Sequence, residues 1–312
     1  MSATIVVAGV VSLYMSVNVP EFPVRYESSA RPLWAGSGMA GVAGHVARVQ
    51  RALGNDVRLC TLVGQDTAGE AIRAELRRDG LDGPGVVASP SSSLGLVLVG
   101  PDGRRMGMPH LAPVNHAAYP YEILREQARG ADLLVLTNAK FVRPLVAPAA
   151  GLGVPIAVDV HLVSDPNGEY NRPWLEQARI VFCSHERLAD PRAWVAGLFH
   201  RYPRCRVAGV GLGARGALVG LRDGRLIEVR AVPPHRVVNT SGAGDALFAT
   251  FLDGWLRHGD PVTALRDGVL HASWKVGHRM PAAVSLTGAR LAELRALTPP
   301  PVIEGRWDGR AA

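Results

Sequence analysis

The chain has 312 residues, 47% hydrophobic and 20% charged, enough apolar content and length to bury a full core, which excludes intrinsic disorder and collagen and leaves one large α/β domain or two smaller ones. The formal charge is +7, from 34 Lys+Arg against 27 Asp+Glu, and only Lys140 and Lys275 are lysines. The arginines are scattered from Arg25 to Arg310 with no run longer than two, whereas a surface that tracks nucleic-acid phosphates shows a clustered stripe, so no nucleic-acid partner is expected.

In chain order, the apolar stretch Ile5 to Met15 has no basic region ahead of it and is shorter than the ~18 residues of a membrane span. It is read as a buried first strand, opening with Ile5 to Gly9, with neither a signal peptide nor a membrane anchor expected. Further short apolar runs follow at Val57 to Val63, Asp132 to Thr137, Val154 to Val160, Arg179 to Cys183 and Arg206 to Gly211. Helix-like segments lie between them, among them Val42 to Leu53, Gly69 to Asp79 and Tyr121 to Gly130. This βαβ progression predicts an α/β fold with a mostly parallel central sheet covered on both faces. Ser12 to Leu33 and Leu94 to His110 break the rhythm, and Asp102-Gly103 between extended stretches is a hairpin signal. Both segments are expected to form a small β-lid, about 12–35 and 94–112, over the carboxyl edge of the sheet. Its strand edges also invite a homodimer. Pro299-Pro300-Pro301 opens what reads as a loose C-terminal tail, 299–312, after a single domain over 1–298. Cys60, Cys183 and Cys205 are odd in number and far apart, which fits neither a disulfide framework nor a zinc site and points to a reducing, cytoplasmic setting.

Asn239-Thr240-Ser241-Gly242-Ala243-Gly244-Asp245-Ala246 precedes an apolar helix from Leu247 to Leu256. Two glycines at a helix start let backbone N–H groups point outward together, so the turn can hold a developing anion. Asp245 in the first helical turn can cap the helix or take a proton from a hydroxyl attacking phosphorus, and the eight residues leave both roles open. Gly36, Gly38 and Gly41 match the G-x-G-x-x-G dinucleotide fingerprint, with Asp56 20 residues after Gly36. The context does not fit, because Arg31-Pro32-Leu33-Trp34-Ala35 is a poor strand and Asp56 precedes the next strand where the ribose-binding acid should end it. NAD is therefore not expected.

Together these motifs resemble the ribokinase-like (PfkB-type) sugar and nucleoside kinases. Gly9 to Pro23 looks like the opening strand and lid entry of that family. Ala40 to Ala47, running through a helix to Leu53-Gly54, resembles its first signature. Val63-Gly64-Gln65-Asp66-Thr67-Ala68-Gly69-Glu70 is similar to its Val-Gly-x-Asp-x-x-Gly-x block, and Thr240 to Asp245 matches its second signature. Leu212 to Ala217 supplies a Gly-x-x-Gly loop of the kind found near the nucleotide phosphates. The resemblance runs from Ile5 to about Leu286 and implies a ribokinase-like three-layer α/β/α fold with the small β-lid.

It also implies a phosphotransferase with ATP, Mg2+ and a small-molecule alcohol. The γ-phosphoryl group would pass to the hydroxymethyl group of a sugar or sugar-like acceptor, with Asp245 as general base and the Gly242, Ala243 and Gly244 amides as anion hole. The implied acceptor contacts are Ser12, Tyr14, Gly41, Val42, His45 and Asn138. The implied ATP contacts are Ser184, Gly211, Gly213, Gly216, Thr240 and His271. Departures from the family pattern gather at the acceptor, where its opening Asp is Tyr14, its signature Asn is His45 and an acid after the Asp132 to Thr137 strand is Asn138. A phenol offers a flat face in place of a carboxylate that binds a diol, which opens the alternative of a nucleoside stacked on Tyr14; a non-catalytic ligand-binding member is a further alternative. Ser184-His185-Glu186-Arg187 stands for the family's Asn-x-x-Glu block, making Glu186 the water-mediated magnesium candidate. Potassium would have only the amide of Asn239 where the family carries an Asp.

Overall fold

Strand β1 (Thr4–Ala8) sends Ile5 and Val7 into one core layer and Val6 and Ala8 into the other. A run that is apolar at every position is what a strand buried on both faces requires. The computed structural model describes residues 2–163, 165–232 and 236–308. After β1 come β2 (Ser12–Asn18), β3 (Ala35–Ala40), α1 (Val42–Ala52), β4 (Asp56–Gly64), α2 (Thr67–Arg78), β5 (Val86–Ser89), β6 (Ser93–Val99), β7 (Arg105–His110), α3 (Ala112–Asn115), α4 (Tyr121–Gln127) and β8 (Leu133–Leu136). Then follow α5 (Val146–Ala150), β9 (Ile156–Leu162), α6 (Arg172–Gln177), β10 (Ile180–Ser184), α7 (Pro191–Arg201), β11 (Val207–Gly211), β12 (Gly216–Leu221) and β13 (Arg225–Arg230). The chain continues through α8 (Ala243–His258), α9 (Pro261–Lys275), α10 (Gly288–Leu297) and β14 (Val302–Arg306).

Ten strands form one sheet in the order β14-β13-β12-β11-β10-β9-β8-β1-β4-β5, parallel from β11 to β5 and antiparallel beyond β11. Val46 of α1, Phe248 and Phe251 of α8 and Leu265 of α9 pack on one face; Leu124, Val146, Trp174 and Val195 of α4 to α7 pack on the other. These are the three expected layers. The strand order reverses at β1, which pairs with β4 on one side and β8 on the other. The carboxyl ends of the strands beside such a switch point frame a crevice in which ligands bind.

A second sheet, ordered β3-β2-β6-β7, stands off as the lid. In its register Tyr14 lies opposite Gly38 and Gly95, Val97 opposite Gly107, and Val99 opposite Arg105, so these residues share the face turned to the body of the molecule. The outer face carries Met15, Leu94, Leu96, Met106 and Met108, while Leu13, on the same side at the root of the strand, packs against the core. The alternating Gly36 and Gly38 that mimic a dinucleotide fingerprint belong to lid strand β3. A Cβ on Gly36 would meet the Met280 sulfur at 2.7 Å, and one on Gly38 the Glu75 carboxylate at 3.3 Å.

Two expectations need correction. Ile5 to Met15 is two strands in two sheets, because the backbone turns at Gly9, where a Cβ would overlap the Thr137 hydroxyl. Val10 and Val11 are as apolar as the strands they separate, so hydropathy cannot mark the break. The segment after Pro299-Pro300-Pro301 is not a loose tail as far as it is described: β14 pairs antiparallel with β13, and Trp307 packs on Phe199 with ring centroids 4.9 Å apart and planes tilted by 32° while its Nε1 donates to the Leu221 carbonyl at 2.6 Å. The prolines end the helical path, and Val302-Ile303 then adds an edge strand. Residues 309–312 of that segment lie outside the described residues.

The Val63 to Glu70 block has a physical reading. Asp66 caps α2 by accepting from the Gly69 N–H at 2.7 Å, and accepts as well from the Ser92 N–H at 2.8 Å and the Ser92 hydroxyl at 2.7 Å. A Cβ on Gly69 would overlap the Gly64 carbonyl. The block therefore ties α2 to the root of lid strand β6. Burial alone would raise the Asp66 carboxyl; the hydrogen bonds from Ser92 and Gly69 outweigh it and hold the group below its ordinary value. A depressed carboxyl contributes stability above its unfolded pKa and loses it as pH falls through the folded one. Asp66→Ala is expected to lower stability at pH 7 by about 2 kcal/mol, and by less as the pH falls through the acid range; denaturant unfolding at several pH values reads both.

Candidate active site

Helix α8 begins at Gly242, whose φ of 71° is left-handed, a conformation glycine adopts without Cβ strain. A second constraint acts at the same atom, since a Cβ there would sit 2.6 Å from Cε1 and 2.7 Å from Nδ1 of His45. His45 lies in the first turn of α1, which starts at Gly41 with φ 87° against the Val10 carbonyl. Two helix N-termini thus converge at the carboxyl edge of the sheet. Gly244 in the first turn of α8 is exposed, and a Cβ on it would meet nothing within 4 Å. The unpaired first amides of a helix and its dipole make the space above Gly244 suited to an anion.

Asp245 is the third residue of α8 and only partly exposed. Burial, first, pushes its carboxyl up to about 6; Asp159 adds to the rise, while His161, Lys275 and Arg105 oppose it. At neutral pH the group is an ionised carboxylate of raised basicity. Asp159 and His161 come from the end of β9, where the register with β10 slips and His161 is the one non-glycine residue at positive φ, 56°, among the described residues. The His161 N–H donates to Asp159 Oδ1 at 2.8 Å. Arg105 reaches in from the lid and makes no ion pair with a carboxylate among the described residues, whereas neighbouring Arg104 pairs with Asp102 at 2.5 Å. His45 is buried, its Nδ1 has no hydrogen-bond partner among the described residues, and burial followed by Lys275, Arg48 and Arg105 holds it neutral. Three cationic or basic groups, His161, Lys275 and Arg105, and one further carboxylate, Asp159, therefore bear on Asp245. That arrangement can hold a negatively charged group beside Gly244 and accept a proton at Asp245.

The lid touches this turn directly. The Asp102-Gly103 hairpin tip lies against the 237–240 loop: both the N–H of Thr240, at 3.4 Å, and its hydroxyl, at 3.3 Å, donate to the Gly103 carbonyl. Asn239 is fully buried; its Oδ1 accepts from the Ser241 N–H at 3.0 Å and its Nδ2 donates to the Arg279 carbonyl at 2.9 Å.

The sequence-predicted residues fall into three groups. Gly41, Val42, His45, Gly242, Ala243, Gly244 and Asp245 meet where α1 and α8 converge. Ser184 and Gly211 are opposite one another at the ends of β10 and β11, and Gly213, with φ 61°, follows on the same edge beside His185. Glu186 is exposed and makes no ion pair among the described residues; its N–H donates to Ser184 Oγ at 3.4 Å. Asn138 sits after β8, its amide donating to the Val160 carbonyl and to Asn171 Oδ1, each at 3.3 Å.

Of the remaining residues, His271, Gly216 and Tyr14 are structural. His271 is fully buried, its Nε2 accepts from the Leu286 N–H at 3.0 Å, and Nδ1–H therefore donates to the Thr250 hydroxyl at 2.7 Å. With both ring nitrogens satisfied, and burial and then Lys275 pushing the group down to about 3, it braces the core and has no surface to offer a nucleotide. Gly216 is buried too, a glycine because a Cβ would overlap the Val229 carbonyl across the hairpin. Ser12 is buried in β2. Tyr14 is 4% exposed and packs with Ala40, Val97, Met280 and Ala282. Its hydroxyl lies beside the Ala282 carbonyl, which also accepts from Arg48 at 2.6 Å, and has no well-formed hydrogen bond among the described residues. The ring fills the seam between lid and body and presents no face for stacking.

Sequence reading did not single out Asp159, His161 or Lys275. The only local signals were the acid and histidine ending an apolar strand and a lysine in an arginine-rich chain.

The family model for pfkB family carbohydrate kinases matches residues 2–149 and 172–287. The chain is 28% identical over 271 residues to an acarbose 7(IV)-phosphotransferase of an Actinoplanes species, spanning 82% of this chain and 86% of that protein. It is 30% identical over 271 residues to an ATP-dependent ribose-1-phosphate kinase of Halopiger xanaduensis, spanning 83% and 86%. In three dimensions it is similar to a microbiome-derived acarbose kinase, with TM-score 0.84 at 23% identity over 95% of this chain and all of that one. It is likewise similar to a Burkholderia thailandensis nucleoside kinase in complex with inosine, with TM-score 0.76 at 19% identity over 94% and 98%.

The contact between Gly242 and His45 is testable by coupling. Gly242→Ala is expected to destabilise by at least about 1–2 kcal/mol from the left-handed backbone alone, with more from overlap on His45. In Gly242→Ala/His45→Ala the overlap component disappears, so the two effects should be non-additive in denaturant unfolding; strict additivity would mean that the residues do not meet.

Proposed function

We propose that this chain, which belongs to the pfkB family of carbohydrate kinases, transfers the γ-phosphoryl group of ATP to a hydroxymethyl group of a sugar or sugar-like acceptor. The observation that carries the reading is the Gly242 to Asp245 turn: left-handed at Gly242, open above Gly244, and holding a carboxylate of raised pKa beside helix-terminal amides. Asp245 takes the proton of the acceptor hydroxyl as its oxygen attacks phosphorus. The Gly242, Ala243 and Gly244 amides and Arg105 face the charge that accumulates on the transferred group. Phosphoryl transfer needs little else from a protein beyond positioning and electrostatic stabilisation.

ATP lies, on this reading, along the ends of β10 and β11, with Ser184, Gly211, Gly213 and Thr240 near it, so that its γ-phosphate points at α8. Among the described residues no group of three or more His, Cys, Asp or Glu side chains is placed to hold a metal. That donor set fits magnesium, which binds through substrate phosphates, waters and one or two carboxylates. Glu186, exposed and without an ion pair among the described residues, would hold it through water, and the ion would neutralise phosphate charge. Two of the sequence relatives are named for sugar acceptors, acarbose and ribose 1-phosphate, which supports a carbohydrate. The nucleoside alternative rested on an exposed Tyr14 and loses that support. ATP use and three free, buried cysteines fit a reducing cytoplasm. A homodimer would cover the outer lid face, where Met15, Leu94, Met106 and Met108 are 41–51% exposed; sedimentation at micromolar concentration should then show a dimer, and Met15→Glu a monomer.

An ADP-release screen with ATP, magnesium and a panel of sugars, sugar phosphates and nucleosides tests enzyme and acceptor together. Asp245→Asn should lower turnover by about 10³-fold or more while ATP still binds; comparable turnover would sink the base assignment. Because the base must be deprotonated, wild-type kcat should fall as pH drops through about 6. A carboxyl raised by burial makes the folded state less stable as pH rises through its folded pKa, so Asp245→Asn should leave Tm unchanged or raise it at pH 7.

A further inference from the structure

Lys275 is one of two lysines in a chain with 34 basic residues, and it is 1% exposed. It ends α9, and among the described residues its Nζ makes a single hydrogen bond, to the Val284 carbonyl at 2.8 Å. No carboxylate lies within ion-pair distance of it among the described residues. A buried ammonium without a counterion is disfavoured by desolvation, so its presence needs a reason. The helix C-terminus supplies partial compensation, since the last carbonyls of α9 favour a cation. Burial lowers its pKa to about 8 and the Asp245 carboxylate opposes the fall, so the group keeps its charge at neutral pH.

The position gives the reason. Loop 238–242 is strapped to the region just beyond Lys275: the Val238 and Asn239 N–H groups donate to the Val276 carbonyl at 2.8 and 3.1 Å, and the Asn239 amide donates to the Arg279 carbonyl at 2.9 Å. Lys275 therefore lies behind the turn whose other side faces the transferring group, and its field reaches both Asp245 and His45. A diffusible potassium ion does not fit the residues here. Asn239 carries no charge and its oxygen is taken by Ser241, the Arg279 carbonyl is filled by an amide, and the Val284 carbonyl by the ammonium itself.

We infer that Lys275 is a built-in monovalent cation, fixed behind the Gly242 to Asp245 turn, that stabilises anionic charge there and makes the enzyme independent of added potassium. It is a positioning residue, acting through the field at the turn without touching the substrate. The inference rests on the kinase reading of that turn, but its test does not need turnover.

The test compares full-length wild type, Lys275→Ala and Lys275→Met in potassium, ammonium and choline chlorides at equal ionic strength, by thermal unfolding and by ADP release with an acceptor from the screen. Wild type should show the same Tm and rate in all three salts. Lys275→Ala leaves a space for a small cation, so its Tm and rate should rise in ammonium or potassium and stay low in choline. Lys275→Met fills the space without charge and should lose rate by about 10²-fold with no rescue by any salt. Potassium-dependent wild type, a Lys275→Ala indifferent to cation identity, or a fully active Lys275→Met would each overturn the inference; should Lys275→Ala not fold in any salt, the Met variant decides. Absence of ADP release from wild type would count against the kinase reading, and the salt-specific Tm of Lys275→Ala would still decide the role of Lys275.

Discussion

The approach of Gly242 to the ring of His45, too close to admit a Cβ, is the constraint on which the site depends. It brings the N-termini of α1 and α8 together at the carboxyl edge of the sheet, with no room for a side chain between them. Because α1 carries His45 and α8 carries Asp245, the same contact fixes Asp245 relative to the first turn of α1. Burial keeps His45 neutral, so it adds bulk and shape at this junction without adding charge. Helix-terminal amides then become the nearest fixed dipoles to the space above Gly244.

Charge is arranged around that junction in shells. Arg48 is buried but neutralised by Glu75 at 2.9 Å and by Asp79, and it locks the lid seam through the Met39 and Ala282 carbonyls. Lys275 and Arg105 are not neutralised by any ion pair among the described residues, and both bear on Asp245. The overall +7 thus matters less as a total than through two cations set behind and above one turn. The lid contributes Arg105 and, through Gly103, a brace on Thr240, so lid position and the Gly242 to Asp245 turn are mechanically joined.

The parts of this arrangement that were legible in the sequence are local ones. The βαβ alternation, the Asp102-Gly103 hairpin and the Gly242 to Asp245 turn each occupy contiguous residues whose chemistry announces the backbone they need. What could not be read depends on partners distant in sequence. His271 looks like a polar residue near a nucleotide until Thr250 and the Leu286 amide are found on its two nitrogens. Tyr14 looks like a stacking platform until the lid closes it against Met280 and Ala282. The break at Gly9 hid among valines, and the prolines before β14 marked a change of element where an end was expected. Lys275 left only a compositional trace, a lysine where the chain otherwise spends arginine.

The central claim is that Asp245 deprotonates an alcohol as phosphorus is transferred to it. Phosphorus NMR of a reaction containing ATP, magnesium and an accepted sugar tests it most directly. The account predicts a phosphomonoester resonance split by two methylene protons with wild type, and none with Asp245→Asn under conditions where that variant still binds ATP. Inorganic phosphate as the sole product of wild type, or the same ester formed at an undiminished rate by the variant, would contradict it.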